Sequence, residues 1–137
     1  MSAEPTVDWT ALRTAATDVA QRGYAPYSGL HVGAAGLTIE GDIVLGCNVE
    51  NASFGMTLCA ECGLVSDLHR RGSEGLVAVC VVAGNGEVLM PCGRCRQLLF
   101  EAGGPTLMLY TDESPIRLDE LLPRAFGPRD LPPEASA

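Results

Sequence analysis

The sequence contains no lysine; all nine of its basic residues are arginine. That excludes every mechanism built on an ε-amino group: a Walker-type phosphate loop, a Schiff-base enzyme, a pyridoxal-phosphate anchor or a kinase-type lysine. Positive charge is scarce altogether. Seventeen acidic residues against nine basic ones leave a net charge of −8. With a pI near 4.6, this is not a chain that grips a polynucleotide by neutralising its phosphates. Histidine occurs only at His31 and His69, neither at ligand spacing, so no His-based triad is expected. No apolar run approaches the ~20 residues of a membrane helix; the longest is Leu76–Ala83. The N-terminus, MSAEPTVDW, lacks the basic-then-apolar pattern of a signal peptide. The expectation is a cytoplasmic protein with no membrane contact, in which thiols stay reduced.

The chain of 137 residues suits a single domain over 1–137. A hydrophobic fraction of 47% and a mean hydropathy of +0.17 are high for this size. They hint at apolar surface covered by partner subunits. Apolar spacing predicts a helix over Val7–Arg22 with Gly23 as its C-terminal cap. Strands follow at His31–Leu37 and Ile43–Cys47, joined by a Glu40-Gly41-Asp42 turn. A polar loop covers Asn48–Thr57, and Cys59–Arg71 reads as a second helix. Leu76–Ala83 suits a strand buried on both faces. Pro91 opens a helix over Cys92–Ala102, Thr106–Tyr110 is a further strand, and Leu118–Leu122 a short helical turn. The tail FGPRDLPPEASA reads as irregular. The order α-β-β-α-β-α-β implies an α/β protein with helices on a central sheet and antiparallel pairing from the first hairpin.

The cysteines carry the strongest signal. Cys59-Ala60-Glu61-Cys62 and Cys92-Gly93-Arg94-Cys95 are two pairs at ligand spacing. Cys80, in the apolar strand, and Cys47, at a strand end, read as packing residues. On spacing alone the two pairs fit a structural four-thiolate zinc. Their setting favours a catalytic one. Both pairs fall at helix starts, where free N–H groups favour thiolate. Glu61 stands beside them, and a carboxylate next to a metal with an open position can carry a proton. In regular helix Glu61 would point about 200° away from Cys59. It reaches the metal only if Cys59 is the cap, outside the helix.

Cys59-Ala60-Glu61 with Pro91-Cys92-Gly93-Arg94-Cys95 matches the signature of zinc-dependent deaminases, C/H-x-E…P-C-x-x-C. The flanking YAPYSGLHVGAAGL, GCNVENASFG, TLCAEC, PCGRCRQLL and LLPRAFGPRDL resemble the small homotetrameric cytidine deaminases over residues 8–131. The resemblance implies a three-layer α/β/α fold with a central mixed five-stranded sheet, and one zinc per subunit. It implies Cys59, Cys92 and Cys95 as zinc ligands, with Glu61 moving protons between water, ring N3 and the departing ammonia. It further implies that the backbone at Ala60 orients the base and that Asn48 and Glu50 bond ribose hydroxyls. Phe126 would stack on the base in a neighbouring subunit's site. Without the resemblance each has a plainer reading: Asn48 as a turn residue, Glu50 and Glu61 as solvated charges, Phe126 as C-terminal core.

Two positions depart from the family pattern. Cys62 stands where relatives commonly carry an Arg that donates to the zinc thiolates. Three thiolates and one Zn²⁺ carry one net negative charge, and Arg94 is a candidate substitute donor. Leu30 stands where many relatives carry Phe against the nucleoside. The resemblance therefore implies deamination of cytidine and 2′-deoxycytidine in pyrimidine salvage. The alternatives are a related deaminase of another cytosine nucleoside, such as a nucleoside antibiotic, and a non-enzymatic four-Cys structural zinc module.

Overall fold

The computed structural model describes residues 5–133. Helix α1 (Trp9–Ala20) begins where the Asp8 side chain accepts from Ala11 N–H at 3.0 Å, which satisfies one of the otherwise unpaired donors of the first turn. Leu12, Ala16 and Ala20 recur four apart and are all buried, so one stripe of the helix faces the sheet. The helix ends with Gln21 as its C-cap, two residues short of Gly23.

Strand β1 (Val32–Thr38) turns at Gly41, where φ is +95°, into the antiparallel β2 (Ile43–Cys47). Helix α2 (Ala60–Arg70) leads to β3 (Leu76–Ala83), which pairs antiparallel with the other side of β1. β2 and β3 are therefore parallel to each other with β1 between them. Helix α3 (Gly93–Gly103) crosses to β4 (Met108–Leu109), parallel to β3. β5 (Ile116–Arg117) closes the edge antiparallel, and α4 (Leu118–Leu121) follows it. The result is a mixed five-stranded sheet, β2-β1-β3-β4-β5, as expected.

All eight residues of β3 are buried, and they alternate between two cores. Val79 and Val81 pack with Leu64 and Leu68 of α2 and Leu99 of α3. Ala78, Cys80 and Val82 pack with Leu12 and Ala16 of α1. The sheet is thus the middle of three layers. Cys80 is a packing residue; burial pushes its thiol up to about 11. Both helix layers touch the sheet through glycine. A Cβ on Gly33 would overlap the Ala16 carbonyl of α1, and one on Gly46 the Ala60 carbonyl of α2. The helix backbones therefore rest directly on the strand backbones there.

The elements differ from the sequence reading at several further places. Pro91 precedes Cys92, the N-cap of α3, and so lies outside the first turn. β4 is two residues long, because Pro105 and Thr106 form a turn. β5 is too short to show any alternation. In the tail, Pro128–Asp130 forms a 3₁₀ turn, and residues 134–137 lie outside the described residues. Among the described residues no helix is long and apolar enough to cross a membrane.

Candidate metal centre

Cys59 has extended backbone (φ −70°, ψ 158°) and is the N-cap of α2. The geometric condition set by the sequence is met: Glu61 sits in the first turn, 3% exposed, within hydrogen-bonding reach of the Cys95 thiol. Cys92 is likewise the N-cap of α3 (φ −64°, ψ 168°), with Cys95 buried in the first turn. α2 and α3 pack together, so two helix N-termini converge. The Sγ atoms of Cys59, Cys92 and Cys95 all lie within 4.8 Å of one another, Cys59 and Cys92 at 3.9 Å.

Cys62 is half-buried, and its N–H donates to the Cys59 carbonyl at 3.0 Å. Neither Cys62 nor Glu61 belongs to the close group of ligand atoms. A four-thiolate site would need Cys62 in it. Three soft thiol donors at this separation fit a zinc ion with one position left open, the pattern of catalytic rather than structural sites.

The electrostatics differ among the three thiols. Backbone N–H groups of Cys95 and Arg94 at the start of α3 lower the Cys92 thiol. Burial raises Cys59 and, more strongly, Cys95, where the Glu61 charge adds to it. Burial likewise raises the Glu61 carboxyl, against opposing hydrogen bonds from its own backbone and from Cys95. Arg94 is exposed, and its guanidinium makes no hydrogen bond or ion pair among the described residues. Its main-chain N–H, not its charge, is what reaches a thiol.

The loop residues are more occupied than expected. Asn48 is 8% exposed; its Oδ1 accepts from Val32 N–H at 2.9 Å and its Nδ2 donates to the Leu30 carbonyl at 2.7 Å. Glu50 accepts from Tyr27 N–H at 2.9 Å, from Ser28 N–H at 3.2 Å and from the Ser28 hydroxyl. Those bonds, the Ser28 hydroxyl first, hold its carboxyl below the usual range. Both side chains therefore shape the 27–32 turn. Each keeps an unused lone pair or N–H for another partner. Tyr27, Ser28, Glu50, Phe54 and Thr57 line an open cleft of about 350 Å³, with Tyr27 edge-on to Phe54 at 5.9 Å. Ala60 is fully buried as the first residue of α2. Leu30 is 49% and Phe126 61% exposed, so Phe126 is not core. His31 and His69 are exposed and stand apart from the thiols; His31 Nδ1 instead lies 2.9 Å from the Gly23 carbonyl.

The residues after Cys95 were not singled out in the sequence. Arg96 Nε donates to the Pro91 carbonyl at 2.9 Å and its Nη1 to the Leu121 carbonyl at 3.0 Å. Gln97 Nε2 donates to the Phe126 carbonyl at 2.8 Å. A charged and an amide side chain directly behind a metal ligand were the available signal.

Three thiols at two helix N-termini, with a buried carboxylate beside them under a mixed sheet, define a metal-dependent enzyme of the α/β class. The profile of the cytidine and deoxycytidylate deaminase zinc-binding region matches residues 8–111, and the chain belongs to that family. It is 55% identical over 130 residues to a cytidine deaminase of Mycobacterium tuberculosis, covering 95% of this chain and 98% of the relative. A cytidine deaminase of Halalkalibacterium halodurans is 39% identical over 79% of this chain and 86% of its own. Among solved structures, the cytidine deaminase of M. tuberculosis superposes with a TM-score of 0.87 at 54% identity, covering 89% of this chain and 99% of that one. That of Mycobacterium leprae gives 0.84 at 50% identity, over 87% and 100%.

Proposed function

We propose that this chain is a zinc-dependent cytidine deaminase that converts cytidine and 2′-deoxycytidine, with water, to uridine and 2′-deoxyuridine plus ammonia. The observation that carries the reading is Glu61, buried beside three clustered thiols because Cys59 is a cap. Cys59, Cys92 and Cys95 would hold the zinc as thiolates. Zinc when bound supplies a Lewis acid that makes water nucleophilic near neutral pH. Glu61 takes one proton from water and gives it to ring N3, then takes the second from the hydroxyl newly formed at C4 and gives it to the amine, which leaves as ammonia. Its buried setting favours the protonated form, which suits a group that must hold a proton between two transfers. The amides of Arg94 and Cys95 offset thiolate charge at Cys92. The free N–H groups at the start of α2, around Ala60, orient the base. Asn48 and Glu50 offer their remaining valences to the ribose hydroxyls, and Leu30 lies on the outer wall.

Phe126 completes the site of a neighbouring subunit in a homotetramer. Its exposure supports this, as does the exposed apolar belt of Tyr24, Tyr27, Val49, Phe54 and Met56. The reading extends to one domain over 1–137, a cytoplasmic setting that keeps the thiols reduced, and a place in pyrimidine salvage.

The test is direct. Zinc-loaded protein given cytidine shows the ultraviolet change of conversion to uridine, and a chelator abolishes it. Failure on cytidine with success on another cytosine nucleoside shifts the substrate; failure on all of them removes the enzyme reading.

A further inference from the structure

Phe126 is exposed, yet the backbone carrying it is held on both sides. Gln97 Nε2 bonds its carbonyl at 2.8 Å. One residue on, Gly127 N–H donates to Asp130 Oδ2 at 2.8 Å. Gly127 also lies flat on Phe100; a Cβ there would sit 2.7 Å from the ring Cε1. Upstream, Arg96 holds the Leu121 carbonyl. Arg96, Gln97 and Phe100 all lie on α3, the helix that supplies Cys95.

An exposed ring on loose chain is ordinary surface. An exposed ring on anchored chain has already met much of the ordering cost of a contact. Gln97 lies about 200° around the helix from Cys95. The Phe126 end of the 121–127 strap therefore lies on the flank of α3 turned away from this chain's own thiols.

We propose that Gln97 is a positioning residue whose amide fixes the Phe126 carbonyl, so that the ring meets the nucleoside base in the site of a second copy of this chain. The inference rests on the reading of Phe126 given under Proposed function. Gln97 does not touch the substrate. Without its hydrogen bond the ring is still present but samples more orientations, so substrate affinity falls while the proton transfers at Glu61 are kept.

The experiment measures kcat and KM for cytidine on the zinc-loaded oligomer. Gln97→Met keeps the side-chain length and loses the donor; Gln97→Lys restores a donor of similar reach. Gln97→Met is expected to raise KM about threefold to tenfold, the scale of one hydrogen bond. Its kcat stays within about twofold, with zinc content and mass by light scattering unchanged. Gln97→Lys recovers most of the lost affinity. Phe126→Ala raises KM at least as far, and in that background Gln97→Met adds nothing. A normal KM in Gln97→Met beside a raised one in Phe126→Ala overturns the role of Gln97 and leaves that of Phe126 standing. An unchanged KM in Phe126→Ala removes the Phe126 reading itself. Loss of zinc, mass or soluble protein in both Gln97 variants marks a purely structural residue and also overturns the proposal.

Discussion

Glu61 has a carboxylate's usual surface alternatives closed to it: it is buried, in the first helical turn two residues after an N-cap thiol. Glu61→Gln keeps the shape and hydrogen bonding but cannot relay a proton. Turnover should fall by about 10²–10⁴-fold, with one zinc per chain retained by metal analysis. Loss of the zinc instead would make Glu61 a ligand. Cys62→Ser should keep both zinc and turnover, since its thiol lies outside the close group. Arg94→Ala should change kcat/KM by less than about threefold, because the main-chain N–H that reaches Cys92 survives the substitution. A large loss would return the compensating role to the guanidinium. At this scale the metal cluster was legible, since cysteine spacing and the position of Glu61 constrain each other. Asn48 and Glu50 are polar loop residues whose contacts within the chain the sequence did not reveal. Their chemistry could be read from residue type, but not that Leu30, Val32, Tyr27 and Ser28 already engage them. Those contacts depend on how two distant turns fold together.

Among the elements, the β1–β2 turn is tied to the α2–β3 loop by Glu40. Its carboxylate accepts from the Ser73 hydroxyl at 2.6 Å and from Glu74 N–H at 2.9 Å. The Ser73 bond, then the Glu74 bond, lower its carboxyl to about 2. A carboxyl depressed by folding contributes stability that is fully present above its unfolded value and is lost as pH falls toward its folded one. Glu40→Gln should therefore lower the melting temperature near neutral pH, and the gap should close between about pH 4.5 and pH 2. A gap that stays constant over that range, followed by thermal melts, would show that Glu40 is not the linked group. β2 and β3 were readable to the residue, because β-branched runs end at Gly-rich or polar turns. β4 and β5 were not; two-residue strands carry no alternation, and only pairing with β3 makes β4 a strand. α3 was placed correctly but its start was not, since a proline before an N-cap and one inside the first turn look alike in sequence.

The whole molecule exposes more apolar surface than its own core needs, with Phe54 at 74% and Phe126 at 61%. Light scattering should report about four chains per particle, the assembly class that hides such patches. Mixing supplies the sharper test. Phe126→Ala subunits retain Glu61, and Glu61→Gln subunits retain Phe126. Assayed at cytidine well below KM, each population alone is impaired; unfolded together and refolded, the mixed particles should show activity above the mean of the two parents. No gain would mean that each chain completes its own site. The glycine contacts decide which parts of this enzyme can be remodelled. With the helix carrying Cys59 lying on Gly46, the thiol triangle has no slack to shift by a side chain's width. Libraries aimed at new nucleosides therefore belong in the 24–31 and 49–58 loops, which line the open cleft of Tyr27, Glu50 and Phe54 and hold the outer wall in the proposed function. Diversity placed in the helices would be spent on particles that no longer collect metal.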